Sequence, residues 1–172
     1  MKKLFFSLQR RKHASKPYHY KESGLDNVFL RNGFTLHETP YGKGLSIDNL
    51  DGLHRAIGRL LICKSGRLSP QELRYLRNDL GMTQTQFARL LDSEEQNIGR
   101  YERGESPIPG PVDVLTRCFY FTRTCSKKEH NVFHAFMIAL QAAETNEIEP
   151  ELKMPAEIYM PKDIPWQPQR AH

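Results

Sequence analysis

Between residues 95 and 100, within the run "SEEQNIGRYERG", Glu95, Gln96, Asn97 and Arg100 all end in groups that donate or accept hydrogen bonds. Side chains of this kind recognise the edges and oxygens of a partner; they do not by themselves make or break bonds. Residues suited to catalysis are sparse. Asp26, Asp48 and Asp51 near His54 could suggest acid–base work, but Asp48 and Asp51 stand where a helix begins. Nothing supplies a nucleophile or a phosphate-cradling loop, so the chain is not expected to be an enzyme or to carry a cofactor. His130 and His134 have ligand spacing on one helix face but lack a third ligand, and read as a surface or dimer pair. Cys63, Cys118 and Cys125 contain no C-x-x-C pair. That pattern suits a reducing compartment and argues against both a disulfide framework and a cysteine-based metal site.

Positioning such polar ends takes short helices at fixed angles, and the sequence has three start signals for them. Ser69 with Glu72, Thr83 with Gln86 and Ser93 with Gln96 each read as a capping box, and Pro70 falls at a first helical position. The helices that follow run from Ser69 to near Gly81, over Thr83–Leu91, and over Glu94–Arg103, where Gly104 is a natural stop. Phe87, Ala88, Leu91, Ile98 and Tyr101 are spaced to meet in one core, Ala88 being small where the helices must approach. Two short helices joined by a tight turn, the second facing outward, make a helix-turn-helix, whose second helix lies in the major groove of duplex DNA. After three prolines a further helix starts at about Pro111, with Val114, Leu115, Cys118 and Phe119 apolar. The run "EHNVFHAFMIALQAAE" predicts a fifth. Phe119, Tyr120 and Phe121 could stack on bases, but their helical spacing reads as core and dimer contact.

The stretches "TQTQFARLL" and "QNIGRYERG" resemble the Cro/repressor (Xre-like) helix-turn-helix family, and the layout of five helices from 69 to about 144 agrees. The fuller run "LRYLRNDLGMTQTQFARLLDSEEQNIGRYERGESPIPGPVDVLTRCFY" is similar more specifically to MqsA-type regulators, antitoxins and their relatives. In those proteins a small N-terminal domain, often zinc-binding, precedes the helix-turn-helix. Here that segment holds only Cys63, so no zinc is expected. The resemblance covers 69–122 and, loosely, 17–66.

It implies that Gln96 and Arg100 read bases, with Glu95 and Asn97 beside them. Arg pairs bidentately with guanine and Gln or Asn with adenine, each worth about 1–3 kcal/mol of discrimination. It also places Gln84 at a phosphate, with Thr83 and Arg103 as further phosphate contacts. Four positions depart from the pattern. Asp92 stands where the family has Gly, yet can adopt a left-handed conformation. Ser93 replaces an apolar residue, and Glu94 holds the usual cap position, so a cap at Ser93 implies a one-residue shift. Gly99 inside the reading helix costs about 1 kcal/mol relative to Ala unless a close approach requires it. Glu94 and Glu95 suit a helix N-terminus but repel phosphates, although Glu95 could accept from a cytosine amino group. Over 69–104 five arginines face six acids, a net charge of −1. Dimerisation or a basic segment elsewhere would have to supply nonspecific affinity.

Such a segment exists. Residues 1–21 hold seven basic residues and no acid, so against a total of +5 the remainder of the chain carries −2. The expected organisation is a basic arm (1–21), a small β-hairpin-plus-helix module (22–66), the helix-turn-helix domain (67–144) and a Pro-rich acidic tail (145–172). In the module, "NVFLRNGFTLHE" predicts a hairpin about Asn32-Gly33, followed by a short strand near Leu45–Ile47. A helix capped by Asp48 would then carry Leu50, Leu53, Ile57, Leu60 and Leu61 on one face. In the tail, Ile158, Tyr159 and Trp166 are the residues that would anchor it. At 172 residues, 38% hydrophobic and 26% charged, with no long apolar run, the chain reads as a cytoplasmic protein, an organelle-targeting start being the alternative.

The fold class expected is mainly α: a five-helix Cro/repressor-like domain preceded by a small β-hairpin-plus-helix unit. The function expected is sequence-specific binding of double-stranded DNA by a homodimeric regulator, a repressor rather than an activator. One rival is an antitoxin that binds a toxin protein and represses its own operon. Another is a helix-turn-helix retained as a protein–protein adaptor without DNA function.

Overall fold

A computed structural model describes residues 3–40, 42–124 and 165–169. Among them are six strands and five α-helices: β1 (Leu4–Leu8), β2 (Tyr18–His19), β3 (Val28–Leu30), β4 (Phe34–Thr39), β5 (Gly42–Ile47), α1 (Leu50–Cys63), α2 (Pro70–Asp79), α3 (Gln84–Leu90), α4 (Glu95–Arg103), α5 (Gly110–Thr124) and β6 (Trp166–Gln169). The strands make the chain more mixed than the mainly α layout expected. The chain divides into two units whose boundary falls inside α1, after Ile57.

The first unit is built on a four-stranded sheet of order β2-β3-β1-β6. β1 runs parallel to β3, with Phe6 opposite Leu30, and antiparallel to β6, with Leu8 opposite Trp166. Alternation along β1 and β3 puts Phe6, Val28 and Leu30 in the core, fully buried, while the Phe5 and Phe29 rings meet at a tilt, 5.4 Å apart, on the other face. Each fully buried side chain of this size stabilises by about 1.5–3 kcal/mol. The N-terminal residues are therefore not a free arm. Leu4–Leu8 is an interior strand; the acid-free run masked it because its charges outnumber the short apolar patch "LFF" that does the packing.

The hairpin also forms elsewhere than expected. β3 pairs with β1 and β2, whereas β4 pairs with β5, Thr39 opposite Gly42. Asn32 and Gly33 are taken up otherwise. The Asn32 side chain accepts from the Leu8 N–H at 2.6 Å and donates to the carbonyls of Leu8 and Arg11 at 3.1 and 3.0 Å, behaving as a piece of backbone at the end of β1. Gly33, at φ +71°, lies against the Trp166 ring, where a Cβ would come within 2.6 Å. The start of α1 is capped by Asn49, whose Oδ1 accepts from the Gly52 N–H at 3.0 Å, and not by Asp48, which pairs with Arg11 at 2.8 Å. Leu53 and Ile57 of the predicted apolar face are buried, while Leu50 is exposed. Trp166 of the C-terminal segment is fully buried and donates its indole N–H to the carbonyls of Asp48 and Asn49.

The second unit holds the rest of α1 and α2–α5. Two of the three expected capping boxes form, Ser69 with Glu72 and Thr83 with Gln86, and Pro70 opens α2. Arg117 of α5, 1% exposed, joins the end of α1 to α5. It pairs with Asp113 at 2.9 Å and donates to the carbonyls of Ile62, Lys64 and Gly66, while Asp113 accepts from the Leu68 N–H. Tyr120 and Phe121 are core residues, as their spacing implied, and Phe119 is half-buried. The predicted fifth helix of this domain, His130, His134, Cys125, Ile158 and Tyr159 lie outside the described residues.

Candidate nucleic-acid interface

α3 and α4 cross around Phe87, Ala88, Leu91 and Ile98, all buried. Tyr101, expected in the same core, is only half-buried because it sits on the flank of α4. The turn between the helices bends at Asp92, whose φ of +49° is the left-handed conformation that a short polar side chain tolerates. Ser93 does not cap α4. Its N–H is bonded to the Ala88 carbonyl at 2.9 Å, which holds it inside the turn, and Glu94 becomes the cap residue without a side-chain capping bond. The third capping box is thus absent. The two glutamates that replace it act on the α4 N-terminus only through their charge.

A buried ion pair fixes how α4 sits on α2. Arg77 of α2 donates to Glu102 of α4 through Nε and Nη2, at 2.5 and 2.9 Å, and through Nη1 to the Met82 carbonyl at 2.7 Å. Gln84 completes the cluster by donating its amide to Glu102 at 2.8 Å. From sequence, Gln84 was expected at a phosphate. One of its donors is spent on holding α4, and its backbone N–H remains at the start of α3.

On the outer side, Glu95, Gln96 and Arg100 are exposed and Asn97 is half-buried. An open concavity of about 890 Å³ brings together Gln84, Glu95, Gln96, Arg100 and Arg103. Asn97 and Thr83 do not line it. The Thr83 hydroxyl is committed to its cap, accepting from the Gln86 N–H at 3.1 Å. Glu95 accepts from the Thr85 hydroxyl at 2.6 Å, which restrains its carboxylate toward α3.

Three lining residues escaped assignment from sequence: Glu94, Gly99 and Glu105. Glu105 is brought in by Gly104, whose left-handed backbone (φ 74°) turns the chain back beside α4. Its carboxylate takes the Arg103 guanidinium in a fork, at 2.6 and 2.9 Å. This hydrogen-bonded pairing raises the Arg103 pKa and lowers that of Glu105. Both side chains are more than half exposed, so water screens the pair. The spacing Arg-Gly-Glu after a helix was the only signal available for it. With Arg100 and Arg103 set against Glu94, Glu95 and Glu105, the concavity carries both signs of charge and a single excess carboxylate.

Residues 71–118 match a family model described as a helix-turn-helix domain, a span that includes α3, the turn, α4 and most of α5. No curated protein and no solved structure matches the chain. The chain contains a helix-turn-helix domain, which suggests a DNA-binding regulator. Among the described residues no helix is long and apolar enough to cross a membrane.

Proposed function

We propose that α4 reads a DNA sequence in the major groove and that the protein is a repressor of the Cro/repressor kind, acting as a homodimer in the cytoplasm and without enzymatic activity. The observation that carries this reading is the division of α4 into two sides. Ile98 and Glu102 are locked into the domain, while Gln96 and Arg100 line an open concavity on the outer side. Arg100 would take the bidentate position on guanine and Gln96 that on adenine, with Arg103 on the backbone. Two copies on a pseudo-palindromic site would double discrimination that is modest for one helix. The test is selection of bound duplexes from a random pool by the full-length protein. A recovered two-fold sequence, bound with an affinity that falls as salt rises, supports the reading; recovery of no preferred sequence defeats it.

The three carboxylates at the concavity favour a second reading, in which the same face binds a basic segment of a protein. That adaptor would show no salt-dependent affinity for mixed-sequence duplex, because no counterions would be released from DNA. A toxin partner, the remaining rival, would need to be found by co-purification from the native host.

A further inference from the structure

Gly99 is the anomaly in the reading helix. A glycine in mid-helix is a weak helix former, and its backbone here is ordinary right-handed helix, so conformational freedom does not explain it. What crowds the place where its side chain would begin is Arg103. The three atoms nearest to a Cβ built at Gly99 are all from the Arg103 guanidinium, Nη1 at 2.9 Å, Cζ at 3.7 Å and Nη2 at 3.8 Å. Arg103 therefore folds back along α4 toward the helix N-terminus and lays its charged head over Gly99, beside Arg100. From the other side, Glu105 holds that head by two parallel hydrogen bonds. A carboxylate and a phosphate present the same paired oxygens to a guanidinium fork.

We infer that Gly99 and Glu105 together preset Arg103 for a DNA phosphate, with Glu105 serving as an internal stand-in that the phosphate displaces. This rests on the DNA-reading role of α4 and deepens it. Gly99 and Glu105 are positioning residues: the contact to DNA is made by Arg103, and the other two decide where its guanidinium waits. In the free protein Glu105 keeps the fork ordered in the concavity. In the complex the carboxylate swings to solvent, the phosphate takes the fork, and the charge left near the backbone lowers affinity. The pair thus trades tightness for a preformed contact that carries no base information.

The experiment measures affinity of the full-length protein for its selected duplex over a range of salt concentrations, in four variants. Glu105→Gln removes the competing charge and should tighten binding several-fold at low salt, the gain shrinking as salt screens the repulsion. Gly99→Ala sets a methyl 2.9 Å from Nη1, too close for the guanidinium to stay in place; the shift of Arg103 should weaken binding about three- to tenfold while the salt slope falls by about 0.9, as expected when one phosphate is no longer neutralised. Its unfolding midpoint should hold or rise, since Ala favours helix, and its preferred sequence should not change. Arg103→Ala should match it, and the double variant should be no weaker than Arg103→Ala alone. If Glu105→Gln binds no tighter, or if Gly99→Ala still weakens binding when Arg103 is already Ala, the inference is overturned although the helix still reads DNA. If wild type shows no salt-dependent affinity for any duplex, the reading of α4 falls and takes the inference with it.

Discussion

Arg77 and Glu102, twenty-five positions apart, meet as a two-pronged ion pair in which both side chains are less than a tenth exposed. The pair ties the outward-facing helix α4 to α2, and it shares Glu102 with Gln84 of α3. Three helices thus converge on one carboxylate, and the angle at which α4 meets a partner depends on it. Removing one member leaves the other charge buried and uncompensated. Arg77→Met or Glu102→Leu alone should cost about 3–5 kcal/mol in chemical denaturation, and the double replacement should recover most of that. Singles that cost less than about 1 kcal/mol would show that the pair is wet in solution.

Arg100 is exposed on α4, facing the concavity and not the core, so its loss should leave the fold intact. Arg100→Ala is expected to lower affinity for the preferred duplex by about 1–3 kcal/mol and to relax base choice at one position. A uniform drop on every sequence would move Arg100 from a base to a phosphate.

Deleting the N-terminal residues is not a clean test of the basic segment, because Leu4–Leu8 is an interior strand. Replacing the exposed Arg10, Lys12 and Lys16 with Gln leaves that strand in place. If these residues touch DNA, the salt slope should fall by about 0.9 for each phosphate they had neutralised, with base preference unchanged. An unaltered slope would confine DNA binding to the helical unit.

Trp166 is the only tryptophan and is fully buried. Trp166→Ala should destabilise by about 3–5 kcal/mol, through the cavity it leaves and the loss of two indole hydrogen bonds. Its fluorescence in the intact protein should be that of a ring shielded from water and should shift to the red on unfolding. A red-shifted native spectrum would mean that β6 does not dock in solution.

Burial pushes the Cys63 thiol up to about 11, against an ordinary value near 9. The folded state thus keeps its proton longer than the unfolded chain does. The stability this contributes is intact below about 9 and is lost as pH rises through 11. Cys63 should resist alkylation at about pH 8 until the protein is denatured, because the thiolate is the reactive form. Cys63→Ala should flatten the loss of stability between pH 9 and 11. Rapid labelling of the native thiol would contradict its burial.

Much of the helix-turn-helix was legible because its determinants are local. Capping boxes at Ser69 and Thr83 need residues three apart, the core positions Phe87, Ala88, Leu91 and Ile98 follow the helical repeat, and Asp92 bends where a turn residue must. The outward polar ends at Gln96 and Arg100 follow from the same periodicity. Ser93 misled because its capping signal is equally local, yet the turn had already claimed its N–H for Ala88.

What the amino-acid order could not reveal was every partnership made at long range. Asn32-Gly33 carries a strong hairpin signal, but Leu8 and Trp166 compete for those two residues from opposite ends of the chain and prevail. The seven cations of residues 1–21 made an interior strand look like a solvated arm, since charge is visible in sequence and strand pairing is not. Gln84 was diverted to Glu102 and Glu105 was brought against Arg103 by packing or turns that leave no periodic trace. Short-range backbone physics thus determined which helices exist and which side they bury. Only the packed structure decided which polar groups remain free to act, because a hydrogen-bonding group is spent by whichever neighbour folding delivers to it.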